Sequence, residues 1–359
     1  MDVKRVGKQF ITAVAATPVL VLAACSSGSS ASTGSSALGP LDAAVCQGQQ
    51  VNMATVSGDT AYYPLFVAQG AKYFDQVGLK LHGVELAKSS SKIAAVVRGE
   101  LDVAPSTMGG VLDARSNGAP VVAFAGLQYV NSNPVVKKSV LAAAGISDAS
   151  PIEKKLSVLK GRTIAATSPG NGTDVLARAL LKGAGLTPER DAKITYTGSP
   201  SASFAAFVSG SVDALVVSSP FTDMAIDKGD GAYLLKSADE YQPFAGTPYV
   251  VLFTSDQFAE KDPKVLQCFT RAISMAEKLI HDDPAGAARS ARALFKDIDD
   301  ATYGVAARIG AEYSMPAPLI DAPAVERARQ LENSTGKSVD ASAITQSVNT
   351  KVAQPAGTK

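Results

Sequence analysis

The apolar positions of this chain alternate between two rhythms. Short runs at 51–56, 79–87, 101–104 and 121–125 have the length and β-branched content of strands. Between them, residues 64–77 and 91–97 place apolar side chains three and four apart, which predicts helices. The first of these helices is expected to stop at Gly78. A second series follows, with strands expected at 163–166, 193–197 and 214–217 and a helix over 174–183. Strands alternating with helices predict an α/β protein with a parallel sheet covered on both faces. Runs 135–141 and 249–253 break the alternation and read as strands beside crossings between two halves. From Asp262 the pattern is helical, with Val265, Phe269, Ile273, Ala276 and Ile280 on one stripe of a helix over 263–281. Further helices are expected at 284–295, 299–312 and 323–332. This closing segment should return to the first half and cover it, and residues 346–359 should form a frayed tail.

The two series are one unit written twice, 111 residues apart. The stretch Ile93-Ala94-Ala95-Val96-Val97-Arg98-Gly99-Glu100-Leu101-Asp102-Val103 aligns with Phe204-Ala205-Ala206-Phe207-Val208-Ser209-Gly210-Ser211-Val212-Asp213-Ala214. Both read as an amphipathic helix, a glycine stop and a strand led by aspartate. At the same offset Ala54 matches Ala165, Ser57 matches Ser168, Leu65 matches Leu176 and Ala68 matches Ala179. Solenoid repeats have periods of roughly 20–50 residues, so this longer one describes two similar lobes.

The start of the chain sets its compartment. Lys4, Arg5 and Lys8 precede an uncharged apolar run over 10–24, closed by Leu22-Ala23-Ala24-Cys25. The run is shorter than the ~20 residues a bilayer requires, so residues 1–24 read as a secretory signal. A cysteine at the cleavage point resembles a bacterial lipobox, in which Cys25 is acylated and anchors the mature chain. Residues 25–46 are rich in serine and glycine and read as a flexible tether. Cys46 and Cys268 are then left, either bridged or as two buried thiols; the exported compartment permits a bridge.

Composition removes several functions. The formal net charge is +1, with no basic cluster, so nucleic acid is not an expected partner. His82 and His281 are the only histidines and stand far apart in sequence, so no metal site, histidine-based triad or cofactor is expected.

Several motifs resemble those of solute-binding proteins of nitrate, sulfonate and taurine importers, a family that includes thiamine-precursor binders. Tyr63-Pro64-Leu65-Phe66-Val67-Ala68, with Tyr73-Phe74 and Gly78-Leu79, is similar to its opening loop and helix. Gly99-Glu100-Leu101-Asp102-Val103-Ala104, Leu159-Lys160-Gly161-Arg162-Thr163-Ile164 and Gly210-Ser211-Val212-Asp213-Ala214 with Ser219-Pro220 match its strand openings and cleft proline. The resemblance implies an α/β, two-lobed type II periplasmic binding protein fold with a hinge of two crossings. Lobe one would comprise 47–128 and 255–345, and lobe two 129–254. It also implies a monomeric, non-enzymatic protein that clasps a small solute between its lobes and hands it to an ABC permease at the outer face of the membrane. The rivals are an enzyme on this fold, of pyrimidine-synthesis or menaquinone-pathway type, and a sensor component. No Cys-His or Ser-His pairing supports the former, and no spanning segment the latter.

Ligands of open α/β sheets sit beyond the carboxyl ends of the strands, which nominates four loops. Ser168, Gly170, Asn171, Gly172 and Thr173 would offer backbone amides and hydroxyls, with a helix beginning near Thr173, to an anionic head group such as a sulfonate or carboxylate. Thr173 serving simply as a helix cap is the competing reading. Ser57, Asp59, Tyr62 and Tyr63 would face them from lobe one, with Asp59 either binding an amine or shaping the turn, and Tyr63 either in the cleft or packed on its helix. Ser106 and Thr107 would donate hydrogen bonds, and Met108 would form an adaptable apolar wall. Gln128 and Tyr129 fall at the first crossing, as ligand contacts or hinge. Ser219, Pro220 and Phe221 complete the cleft, where some family members carry a tryptophan; this chain has none.

Overall fold

The computed structural model describes residues 46–349, apart from 57, 85, 87, 88 and 237. The expected signal, lipidation at Cys25 and most of the tether lie outside the described residues, as does Ser57.

The strands are β1 (Gln49–Ala54), β2 (Leu79–Val84), β3 (Ala104–Thr107), β4 (Val121–Tyr129), β5 (Val135–Lys137), β6 (Thr163–Ala166), β7 (Lys193–Tyr196), β8 (Ala214–Leu215), β9 (Gly231–Tyr233) and β10 (Pro248–Ser255). The helices of the first half are α1 (Tyr63–Gly70), α2 (Tyr73–Gln76), α3 (Ser89–Val97) and α4 (Met108–Ser116). Those of the second are α5 (Lys138–Ala143), α6 (Ile152–Ser157), α7 (Gly172–Gly183), α8 (Pro200–Val208) and α9 (Phe221–Lys228). The closing segment holds α10 (Asp256–Lys261), α11 (Pro263–Asp282), α12 (Pro284–Ala291), α13 (Asp300–Glu312), α14 (Ala322–Ser334) and α15 (Ser342–Gln346).

The internal repeat becomes a repeated sheet. In one lobe β1 pairs with β2, β3 with β10 and β10 with β4, and a Met53–Val103 bridge joins β1 to β3. The order is therefore β2-β1-β3-β10-β4. The other lobe runs β7-β6-β8-β5-β9. Each position in one order matches the strand at the same position in the other. The aspartates that lead β3 and β8 do the same work in both. Asp102 Oδ2 accepts from Asn52 N–H at 2.7 Å, and Asp213 Oδ2 accepts from Thr163 N–H at 2.9 Å. The reciprocal bonds, from Asp102 N–H to the Asn52 carbonyl and from Asp213 N–H to the Thr163 carbonyl, are 2.9 and 2.8 Å. Gly99 and Gly210 make the preceding turns at φ +74° and +76°, a conformation glycine takes without strain. Asp102→Ala and Asp213→Ala are each expected to cost about 1–3 kcal/mol, because each strands an amide at the root of its sheet. Urea unfolding of the two variants checks this; a near-zero cost for either would separate the two motifs.

The sheets are mixed rather than purely parallel. β1, β2, β6, β7 and β8 pair in parallel as the alternating pattern implies. β10 and β5 run antiparallel to their neighbours, because each enters its sheet from the other lobe. Expected strand 135–141 ends at Lys137, where α5 begins, and expected strand 101–104 is displaced to Ala104–Thr107. Residues 102 and 103 are spent on Asn52, and regular pairing with β10 starts only at Ala104.

The expected helix over 64–77 is two helices, split after Gly70. A Cβ there would lie 1.9 Å from the Ser290 carbonyl oxygen on α12, so α1 ends against that helix, and Lys72 turns the chain at φ 57°. α11 covers α1, α2 and β4 with Leu266, Phe269, Ile273 and Ala276, all fully buried. Phe269 meets Phe74 and Phe124 at centroid distances of 4.7 and 5.8 Å, which fixes α11 across the lobe-one sheet. Cys46 and Cys268 form a disulfide, with Cα atoms 6.6 Å apart. The expected frayed tail is partly ordered: Ser347 O accepts from Ala123 N–H and Asn349 N–H donates to Ala123 O, extending the edge of β4. Its sequence carries little apolar signal because the pairing is through the backbone.

Candidate functional site

The chain passes between lobes at 130–134 and 234–247, and the two passages are bonded to each other. Val130 N–H donates to Thr247 O at 2.9 Å, Leu234 N–H to Pro134 O at 2.7 Å, and Asn133 Nδ2 to Lys236 O at 3.0 Å. Gln128, fully buried at the first passage, donates to Gly310 O at 2.7 Å and to Ser314 Oγ at 3.0 Å. Both its amide protons are engaged by the end of α13, so it belongs to the hinge rather than to the cleft surface.

Above the hinge the loops of the two lobes touch. Thr60 donates from both its N–H and its hydroxyl to Ser219 O, at 3.3 and 2.9 Å. Asn131 bridges the same two loops, donating to Thr60 Oγ1 at 3.3 Å and accepting from Ser218 Oγ at 3.1 Å. Gly172, the first residue of α7, lies against Tyr249 and Thr107: a Cβ on it would stand 2.4 Å from the Tyr249 hydroxyl and 2.8 Å from Thr107 Cγ2. The lobes are thus closed on each other along the carboxyl ends of their strands.

Asp59 caps the short helical turn Thr60–Tyr62 by accepting from Ala61 N–H at 2.9 Å. Burial pushes its carboxyl up to about 6, against the lowering effect of that bond. Its charge also reaches Tyr62 and Tyr249, whose hydroxyls are held above the usual tyrosine range mainly by burial. Tyr62 is half-buried, and the Lys92 ammonium stands 5.7 Å from its ring centroid. Asp59 and Tyr62 flank the turn Thr60–Tyr62, which packs against β10, the strand that carries Tyr249. Ser106 and Thr107 lie beside it at the end of β3, both half-buried; Thr107 Oγ1 caps α4 by accepting from Gly110 N–H at 3.0 Å.

Two expected cleft residues are held by the interior, and a third is partly buried against it. Tyr63 is fully buried, with its ring where a Cβ on Gly310 would fall, 2.6 Å from Cγ; it packs on α13. Met108 is fully buried among Val111, Leu112 and Val251. Phe221 leans on the lobe-two cluster around Phe207 and Leu215. Ser219 and Pro220 are buried at the lobe contact, where Ser219 Oγ donates to Asp223 Oδ2 at 2.6 Å.

The glycine-rich loop differs most from expectation. Asn171, not Thr173, caps α7: its Oδ1 accepts from Asp174 N–H at 3.1 Å and from the Thr173 hydroxyl at 2.9 Å. Thr173 Oγ1 accepts from Thr167 N–H at 2.8 Å, while Gly170 N–H donates to Asp174 Oδ2 at 2.8 Å. Asp174 also accepts from Arg178 Nε and from the Tyr196 hydroxyl, each at 2.9 Å. Ser168 O accepts from Asn171 N–H at 3.3 Å, closing the loop on itself. The positive end of α7 already faces a carboxylate of its own chain.

Sequence reasoning did not single out Tyr249, Asn131, Thr60 or Lys92. Tyr249 reads as an ordinary strand residue, and only the antiparallel insertion of β10 brings it to the cleft. Lys92 did leave a signal: a lysine in the first turns of a helix opposes the helix dipole.

The NMT1-like family model matches residues 46–295, most of the chain. No curated protein matches. Among solved structures, a protein from Bordetella bronchiseptica RB50 is similar at 23% identity and a TM-score of 0.71, covering 84% of this chain and 95% of its own. The alkanesulfonate-binding protein SsuA from Xanthomonas axonopodis pv. citri, bound to MOPS, aligns at 18% identity and a TM-score of 0.64, over 84% and 99% of the two chains. The periplasmic nitrate-binding protein NrtA from Synechocystis PCC 6803 aligns at 14% identity and a TM-score of 0.66, over 85% and 87%. Likeness at these identities speaks for the fold, which is the two-lobed type II periplasmic binding protein fold. The family match over 46–295 establishes that this chain is a member of the NMT1-like family.

Proposed function

We propose that the chain is an extracytoplasmic solute-binding lipoprotein that captures a small organic anion by lobe closure and delivers it to an ABC importer. The observation that carries this reading is the meeting of Gly172, at the start of α7 in lobe two, with the Tyr249 and Thr107 side chains of lobe one, across the carboxyl ends of the strands. A solute that bonds both faces favours the closed form by its differential affinity for that form. The cleft would use Asp59, Tyr62, Ser106, Thr107 and Tyr249 from lobe one, with Ser168, Asn171, Gly172, Thr173 and Ser219 opposite. Neighbours named as alkanesulfonate- and nitrate-binding proteins support an anionic solute. Acylation of Cys25 would hold the protein at the outer face of the membrane, as a monomer beside its permease.

Calorimetry with MOPS, ethanesulfonate, taurine, nitrate and benzoate tests this reading, with chemical analysis of each solute afterwards. One-to-one binding with the solute recovered unchanged is the expected result; conversion of any bound solute to product would sink it in favour of an enzyme.

A further inference from the structure

Two lysines are buried among the described residues, and they differ in one respect. Lys155 is 6% exposed and its Nζ meets Glu240 Oε2 at 2.7 Å. Lys92 is 7% exposed and has no ion pair or hydrogen bond among the described residues; its ammonium stands over the face of the Tyr62 ring. A largely buried cation with no counter-ion among the described residues is costly, and a ring at 5.7 Å returns only a small part of that cost. Its place in the first turns of α3 adds to the penalty, since that end of the helix is itself positive. A residue serving only to pack α3 would be less costly without the charge.

The same features make a good receptor for a negative group. The ammonium and the helix end reinforce each other in a site largely shielded from water, where charge–charge interactions are strong. Tyr62 connects Lys92 to the cleft, because the turn Thr60–Tyr62 bonds Ser219 O of the other lobe through Thr60 and packs against β10, the strand whose Tyr249 meets Gly172. In the glycine-rich loop, the site expected for an anion, the Gly170 amide is already taken by Asp174.

We propose that the Lys92 ammonium, at the start of α3 and over the Tyr62 ring, binds the charged end of an organic sulfonate or carboxylate, whose apolar body lies on Tyr62. The proposal rests on the reading of the protein as an organic-anion binder and names the group that would recognise the anion. Burial lowers the Lys92 ammonium to about 8, which leaves it predominantly charged at neutral pH.

The test compares wild type, Lys92→Met and Lys92→Arg by calorimetry. The probes are MOPS, ethanesulfonate, benzenesulfonate and benzoate, with benzenesulfonamide and benzamide as uncharged partners. Ligand-free melting temperatures are read in parallel. Wild type should bind at least one of the anions and discriminate against the uncharged probes. Lys92→Met should weaken that anion at least tenfold, Lys92→Arg should retain more of the binding, and ligand-free Lys92→Met should melt at a higher temperature because an unpaired buried charge is gone. Equal anion affinity in wild type and Lys92→Met overturns the proposal and leaves the anion-binding reading standing. A lower ligand-free melting temperature in Lys92→Met also overturns it, since it marks the lysine as structural. Wild type that binds none of the anions, or prefers their uncharged partners, overturns both.

Discussion

Replacing Gly172 with valine should prop the lobes apart and cost at least tenfold in solute affinity. The site has no room for a side chain, since even a bare Cβ would stand 2.4 Å from the Tyr249 hydroxyl and 2.8 Å from Thr107 Cγ2. Tyr249 is 8% exposed and rooted in β10, so its ring has little freedom to withdraw. The less crowded response is rotation about the passages at 130–134 and 234–247. Solute contacts spanning both lobes would then be lost, and each factor of ten in the closed population removes the same factor from apparent affinity. Gly172→Ala should show a weaker form of the same change. Small-angle scattering of the ligand-free protein should give a larger radius of gyration for Gly172→Val than for wild type. Unchanged scattering and unchanged affinity together would mean that the glycine is not what permits closure.

Removing the Cys46–Cys268 bridge should cost about 2–5 kcal/mol of stability. The bridge closes a loop of 222 residues, and the chain-entropy argument gives about 4.7 kcal/mol even for a 100-residue loop. It fastens the segment before β1 to α11, the helix that covers the lobe-one sheet. Both cysteines are essentially unexposed, so Cys46→Ala with Cys268→Ala keeps the site apolar and isolates the loss of the link. Thermal unfolding of this double variant, and of wild type under reductant, should show the same downward shift. A midpoint indifferent to both treatments would contradict the argument.

Much of this fold was legible because the sequence states it twice. The glycine–aspartate spacing around Gly99 and Asp102, repeated at Gly210 and Asp213, encodes a turn followed by a carboxylate–amide bond, and both ends of that bond are local to one motif. Features that depend on distant partners were less legible. The break after Gly70 lies against the Ser290 carbonyl, 220 positions later, and the glycine alone is a weak local announcement of it. Residues 347–349 pair with Ala123 through backbone groups that every residue possesses. The cleft was readable as a set of loops but not as a set of side chains. Tyr63 and Tyr62 are neighbours of the same type, yet one is fully buried on α13 and the other is half-buried under the Lys92 ammonium. The glycine-rich loop advertises free amides, and only the folded geometry shows Asp174 turning back to accept one of them.

The late insertion of β10 between β3 and β4 carries a consequence for how the molecule matures. The sheet β7-β6-β8-β5-β9 is drawn from one unbroken stretch, 135–233. Its counterpart lacks an inner member until residues 248–255 arrive, so β4 has no neighbour to join it to β3 before then. On a chain emerging amino-terminus first, the half encoded second is the earlier to complete, and the half encoded first waits for it.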